Sequence, residues 1–161
     1  MKRENFIVKK YLGLVFLLFI PGIFPLAAAN VSFLVIETGL PKDGPAAQYS
    51  IMWENSLMDV FFEMGHIISN SPMMRLDKKP PDGFPDIAER DFEEAQEGGM
   101  AYFLVAVVEH PIPYKVSMRL YRIRNQEMIR EQFYTYGAPK TEKEEYDNIK
   151  RAVASMAARL R

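Results

Sequence analysis

The sequence contains no cysteine among its 161 residues. Disulfides, thiol catalysis, cysteine-ligated metals and an amino-terminal lipidated cysteine are therefore excluded. Histidine is nearly as scarce: His66 and His110 are the only two, and no His-x-x-x-His spacing indicates a zinc site. We expect His66 at the end of a helix and His110 at the end of a strand. The sequence predicts neither a metal nor a cofactor.

Motifs of nucleotide binding and covalent catalysis are also missing. The sequence has no Gly-x-Gly-x-x-Gly, no P-loop, no nucleophile elbow, no Ser-x-x-Lys and no EF-hand spacing. The carboxylates between Asp82 and Glu97 are more typical of a solvated helix face than of an acid–base pair. We therefore assign no catalytic residue. A small-ligand-binding or enzymatic domain, with a pocket between sheet and helix, stays open as an alternative.

The amino terminus has the three parts of a secretory signal. A basic region ends at Lys9 and Lys10, an apolar run covers residues 11–20, and small residues follow at 27–29. Pro21 and Pro25 interrupt the apolar stretch before it reaches the roughly 20 residues that span a bilayer. We predict a signal peptide over residues 1–29. Signal peptidase would recognise Ala27 and Ala29 and cleave the chain before Asn30. Cleavage after Ala28, and retention of the segment as a membrane anchor, are the open alternatives.

Removal of the signal peptide leaves one domain, residues 30–161, with a negative net charge. The first 29 residues hold four basic residues and one acidic residue, so 16 basic and 20 acidic residues remain. An acidic domain is a poor partner for nucleic acid, because binding there depends on neutralising phosphates. Its 132 residues are enough for one core without disulfides or metals. We expect a periplasmic or secreted protein of the bacterial envelope.

Hydrophobic periodicity predicts the order β-α-β-α-β-β-α. A nine-residue apolar run from Met100 to Val108 predicts a central strand, followed by a hairpin that turns at 124–127. The first predicted helix extends to Ser69. Asp86 with Glu89, and Thr141 with Glu144, are the predicted caps of the other two helices. The fold class is α+β (mixed α/β), with helices packed on a mixed sheet of four to five strands. The other strands are predicted over 31–37, 73–76, 114–123 and 128–136, and the helices over 46–69, 86–97 and 141–160.

A family resemblance rests on this order and on the segments 33–36, 57–62, 74–76, 101–105, 116–127 and 149–158. Together they resemble the domain shared by the amino-terminal part of TolB, the curli secretion protein CsgG and the penicillin-binding-protein activator LpoB. The resemblance implies a periplasmic docking domain and supplies no catalytic residues. It departs from the family in lacking the lipobox cysteine of CsgG and LpoB and the propeller that follows in TolB.

Two surfaces are candidates for protein docking. On the first predicted helix, the apolar residues cover more of the circumference than one buried face can hold. Met58 and Phe62 are therefore expected to lie outside the buried face. On the hairpin, Arg119, Arg122 and Arg124 are opposite in charge to the 82–97 segment and could meet an acidic partner. A helix packed on two sides, and charges that protect a strand edge, are the structural alternatives.

Together these observations predict a non-enzymatic module that binds envelope proteins of unknown identity. A homo-oligomer is possible, and contact with a membrane is expected only if the signal is uncleaved.

The position of cleavage can be measured directly. Mass spectrometry of the protein recovered from the envelope should show a chain that starts at Asn30, because the small residues at 27 and 29 precede that bond. Recovery of a chain that still carries residues 1–20 would instead establish the anchored form.

Overall fold

A computed structural model describes residues 28–81, 84, 86–137 and 141–160. The predicted signal peptide, including Ala27, therefore lies outside the described residues, apart from its last two. Among these described residues, six strands and three α-helices follow one another as β1-α1-β2-β3-α2-β4-β5-β6-α3. The strands are β1 (Asn30–Thr38), β2 (Ile67–Asn70), β3 (Met74–Leu76), β4 (Tyr102–Glu109), β5 (Tyr114–Arg122) and β6 (Glu127–Tyr136), and the helices are α1 (Gln48–Glu63), α2 (Glu89–Glu97) and α3 (Glu142–Ala157).

The strands form one mixed sheet in the order β2-β1-β4-β5-β6, with β3 also paired to β1. β1 is parallel to β2, β3 and β4, whereas β4–β5 and β5–β6 are antiparallel. The predicted mixed sheet and hairpin are thus confirmed. The sixth strand is β2, over residues that the sequence analysis assigned to the end of the first helix, and it pairs with the start of β1 while β3 pairs with its end.

The sheet has a hydrophobic core on each face, because side chains alternate along each strand. Helices α1 and α3 cover the face that carries Phe33, Leu104 and Met118. Helix α2 covers the opposite face, where Phe92 packs with Phe103 in an edge-to-face contact of 5.6 Å between centroids. The domain is therefore a three-layer sandwich of helices around the sheet. Within the described residues, no helix is long and apolar enough to cross a membrane.

The prediction that α1 continues to Ser69 is wrong. Gly65, at φ +81°, takes the left-handed conformation that ends a helix, and α1 stops at Glu63. Beyond it, Ile67 and Ile68 are strand residues, and the Ile67 amide donates to the carbonyl of Ala29 at 3.0 Å. A β-branched pair after glycine fits an extended edge strand better than a further helical turn.

The two predicted helix caps have different outcomes. At α3, the Thr141 hydroxyl accepts the Glu144 amide at 3.1 Å, so the predicted cap is confirmed. At α2, a short 3₁₀ turn (Asp86–Ala88) comes first, and Ala88 occupies the cap position without a side-chain hydrogen bond. The capping role predicted for Asp86 is wrong because this turn moves the start of the α-helix further along the chain.

Gly39 and Gly65 form a matched pair for testing the close approach that follows β1. Both have positive φ, +84° and +81°, but a Cβ on Gly39 would collide with the backbone oxygen of His110, whereas a Cβ on Gly65 would meet open space. We expect Gly65→Ala to lower the free energy of unfolding by about 1–2 kcal/mol, the cost of a left-handed non-glycine residue. Gly39→Ala should lower the free energy of unfolding by at least about 2 kcal/mol more than Gly65→Ala does, because the backbone at His110 must move to make room for the new Cβ. Equal losses in urea unfolding would contradict the close approach.

Candidate protein-docking surface

Helix α1 carries apolar side chains on two faces. Its inner face holds Trp53, Leu57 and Phe61, which are fully buried against the sheet. On the outer face, Ile51 is 42%, Met58 40% and Phe62 76% exposed. These three residues are spaced by seven and four positions, which places them in one line along the helix. We call this line, Ile51–Met58–Phe62, the outer stripe.

Helix α3 lies beside the outer stripe and is joined to α1 by polar contacts. The Gln48 side chain donates to Glu142 at 3.1 Å, and Lys150 bridges to Glu63 at 2.9 Å. Midway between these contacts, the Tyr146 hydroxyl donates to Asp59. A groove of about 450 Å³ runs between the two helices. It is lined by Met52, Asn55, Glu142, Lys143 and Tyr146.

Sequence analysis predicted that Met58 and Phe62 fall outside the buried face of α1, and both side chains are exposed. Ile51, which the sequence analysis did not single out, completes the stripe. Its spacing of seven residues from Met58 was the available signal. The outer stripe lies on α1, one of the two helices that line the groove, and an exposed apolar line of this kind is typical of an interaction surface.

The arginines predicted for docking lie elsewhere and differ in accessibility. Arg119 is only 4% exposed and pairs with Glu131 on β6, so it belongs to the interior of the sheet face and not to an accessible surface. Arg122 pairs with Glu127 at 2.6 Å across the hairpin. Arg124 is exposed in the hairpin turn. The structure therefore does not bring these arginines together into one basic patch.

A buried polar cluster lies where β1 and β4 end. Glu37 accepts the Ala47 amide at 2.7 Å and pairs with Arg75 at 2.6 Å. Ser50 Oγ lies 3.0 Å from His110 Nε2, and the Glu37 carboxylate lies 3.9 Å from that same nitrogen. Arg75 also donates to the carbonyls of Pro41, Lys42 and Gly44, so it fixes the loop that leads into α1.

This cluster contains a serine, a histidine and a carboxylate, but not in the arrangement of a hydrolytic triad. In a triad the carboxylate binds the ring nitrogen opposite to the one that faces serine, whereas here both groups approach Nε2. Ser50 is fully buried, so its hydroxyl is shielded from solvent. The cluster instead joins β1, α1 and the end of β4. Sequence analysis missed it, because its members lie far apart in the chain.

Burial and hydrogen bonding set the ionisation of this cluster. Burial raises the pKa of Glu37, but hydrogen bonds from Ser50, Ala47 and Arg75 outweigh it and hold the pKa below its ordinary value. Burial lowers the pKa of His110, and the negative charge of Glu37 offsets this only in part. His66 is likewise buried, and its pKa is lowered by burial. Both histidines are therefore favoured as neutral packing groups.

Two observations in the described part of the structure bear on a metal or small-ligand site. Within residues 28–81, 84, 86–137 and 141–160, no three His, Asp or Glu side chains are grouped so as to hold a metal ion. A cavity of about 170 Å³ lies at the start of α2. It is lined by Phe84, Phe92 and Gln126 together with the solvated carboxylates Asp86, Glu89 and Glu93.

No family model and no curated protein matches this chain. Solved structures are similar to it at low identity. A PelC dodecamer of Paraburkholderia phytofirmans is 12% identical with a TM-score of 0.48, covering 83% of this chain and 90% of that one. The LpoB C-terminal domain of Escherichia coli is 13% identical with a TM-score of 0.43, covering 66% of this chain and 81% of that one.

TolB of Acinetobacter baumannii is 12% identical with a TM-score of 0.40, covering 81% of this chain and 28% of that one. The resemblance expected from the sequence is confirmed. LpoB and TolB, two of the three proteins that defined it, are both found by comparison of structures. Similarity at this level carries no conclusion about partners or activity, which must be argued from the residues of this chain.

The ionisation of His110 predicts how stability depends on pH. The unfolded chain takes up a proton at the ordinary pKa of 6.5, whereas the folded chain resists it, so stability is lost as the pH falls below this value. His110→Gln removes the titration but keeps a hydrogen-bonding group for Ser50. Between pH 6.5 and about pH 5, its unfolding free energy should fall less steeply than that of the parent.

Urea unfolding at several pH values would measure these slopes. Some dependence should persist in the variant because His66 is unchanged. Parallel curves for parent and variant would contradict a buried, neutral His110.

Proposed function

We propose that this chain is an exported protein of the bacterial envelope that acts as a non-enzymatic protein-binding module, with the outer stripe of α1 as its contact surface. The observation that carries the proposal is the alignment of Ile51, Met58 and Phe62 on the face of α1 that points away from the core. Exposed apolar side chains aligned beside a groove are typical of an interaction site.

Phe62, the most exposed residue of the outer stripe, contributes little to the burial of apolar surface in the fold, which supports a role in binding. The inner face of α1 already contributes seven buried residues to the interior. Phe62 leaves about three quarters of its surface in water, so its ring gains little from folding. An aromatic residue in this position is typical of an anchor that becomes buried when a partner docks.

Photo-cross-linking in intact cells tests the proposed surface. A photoreactive residue at position 51, 58 or 62 should yield a discrete cross-linked product with an envelope protein. The same residue at Ile112, which is comparably exposed in the loop between β4 and β5, serves as the control and should not yield it.

The substitution Phe62→Asp separates binding from folding. Because the side chain is mostly exposed, the free energy of unfolding should change by no more than about 0.5 kcal/mol. The product formed from position 58 should nevertheless be lost, since the anchor is gone. Products of equal yield from positions 58 and 112, or a product at 58 that survives Phe62→Asp, would contradict the proposed contact surface.

A further inference from the structure

The charges around the outer stripe indicate what kind of element would bind there. Helix α1 contains Glu54, Asp59 and Glu63 and no basic residue. Glu63 is neutralised by Lys150, whereas Glu54 and Asp59 accept hydrogen bonds from the neutral side chains of Asn70 and Tyr146. The stripe is therefore bordered by carboxylates on both of its sides.

The groove beside the stripe has the same imbalance. Glu142 accepts its hydrogen bond from Gln48, which is neutral, while the nearby Lys143 is neutralised by Asp147 at 2.6 Å. Among the residues that the structure describes, Glu54, Asp59 and Glu142 form no direct ion pair, and the cation near Asp59 is Lys150, which lies 5.0 Å from the ring centroid of Tyr146. We call these three carboxylates the acidic margin.

We infer that the outer stripe and its acidic margin receive an amphipathic helix of a partner protein, with an apolar stripe flanked by lysine or arginine. This inference rests on the proposed function and specifies its partner. A helix fits because the stripe runs straight for about 16 Å, the length of roughly eleven helical residues, beside a groove between two helices. Lysine or arginine on either side of the partner's apolar stripe fits because these residues would pair with the carboxylates of the acidic margin, which form no direct ion pair within the domain.

The same charges disfavour a second copy of this chain as the occupant. Two α1 helices related by a two-fold axis would bring their outer stripes together, since such an interface uses the same patch on both copies. Their flanking carboxylates would then face each other with no basic residue on either helix. Like charges in this position oppose association.

Peptide binding to the protein purified from the envelope tests the inference. The probes are three fluorescent helical peptides of about 14 residues, long enough to cover the stripe. All carry the same leucine stripe, with flanks of lysine and arginine, of glutamine, or of glutamate. Fluorescence anisotropy should show the basic peptide binding at least about tenfold more tightly than the acidic one, with the difference shrinking as salt is added.

Variants locate the effect on the surface. Glu54→Gln and Glu142→Gln should reduce the preference for the basic peptide. The control Glu89→Gln, in the first turn of α2 on the other side of the sheet, should leave it unchanged. Phe62→Ser should weaken all three peptides alike, because it removes an apolar contact and not a charge.

The outcomes separate this inference from the proposed function. Equal binding of the three peptides, with loss on Phe62→Ser, would overturn the basic flanks and leave the docking surface in place. A preference that Glu89→Gln removes and Glu54→Gln does not would assign the effect to another surface and overturn the inference. If none of the three peptides binds, the inference of a helical partner is overturned. The cross-linking experiment would still decide whether the outer stripe is a contact surface.

Discussion

The parallel pairing of β1 with β4 is the constraint on which the rest of the structure depends. Eight residues of β1, from Val31 to Thr38, pair in register with Tyr102–Glu109. Both strands are buried on both faces, so helices must cover the sheet above and below. That requirement gives α1 an inner face dedicated to the core and leaves its outer face free to carry other side chains.

The buried polar cluster follows from the same constraint. Glu37 lies within the buried run of β1, where an unpaired carboxylate would be costly. Arg75 on the adjacent β3 and the amide of Ala47 satisfy it. The carboxylate thereby ties the strand ends to the loop before α1, and the orientation of the helix that carries the outer stripe depends on this contact.

The parts of the fold that follow from local pattern could be predicted from the sequence. The continuous apolar run of β4 and the alternation along β5 marked a central strand and a hairpin, and Thr141 with Glu144 marked the start of α3. The end of α1 could not be predicted in the same way. Ile67 and Ile68 continue the helical period, and their strand conformation is set by the left-handed backbone at Gly65 and by the pairing with β1.

The candidate surface was predictable only in its apolar part. Met58 and Phe62 exceeded what one buried helix face can hold, which is a property of the sequence. Their acidic margin includes Glu142, which lies 94 residues along the chain from its partner Gln48 and reaches the surface through the packing of α3 on α1. Arg119 is a case in which the sequence was misleading. The alternation along β5 predicted a solvated side chain, whereas the structure buries it beside Glu131. Charge on a strand therefore did not indicate accessibility.

The most direct test of the account compares the oxidation of two methionines by hydroxyl radicals in the envelope and in the purified protein. Met58 on the outer stripe is 40% exposed, and Met128 on β6 is 47% exposed. Our account predicts similar oxidation of both in the purified protein, and protection of Met58 alone in the envelope. Equal oxidation of the two methionines in both settings would show that nothing covers the outer stripe and would contradict the account.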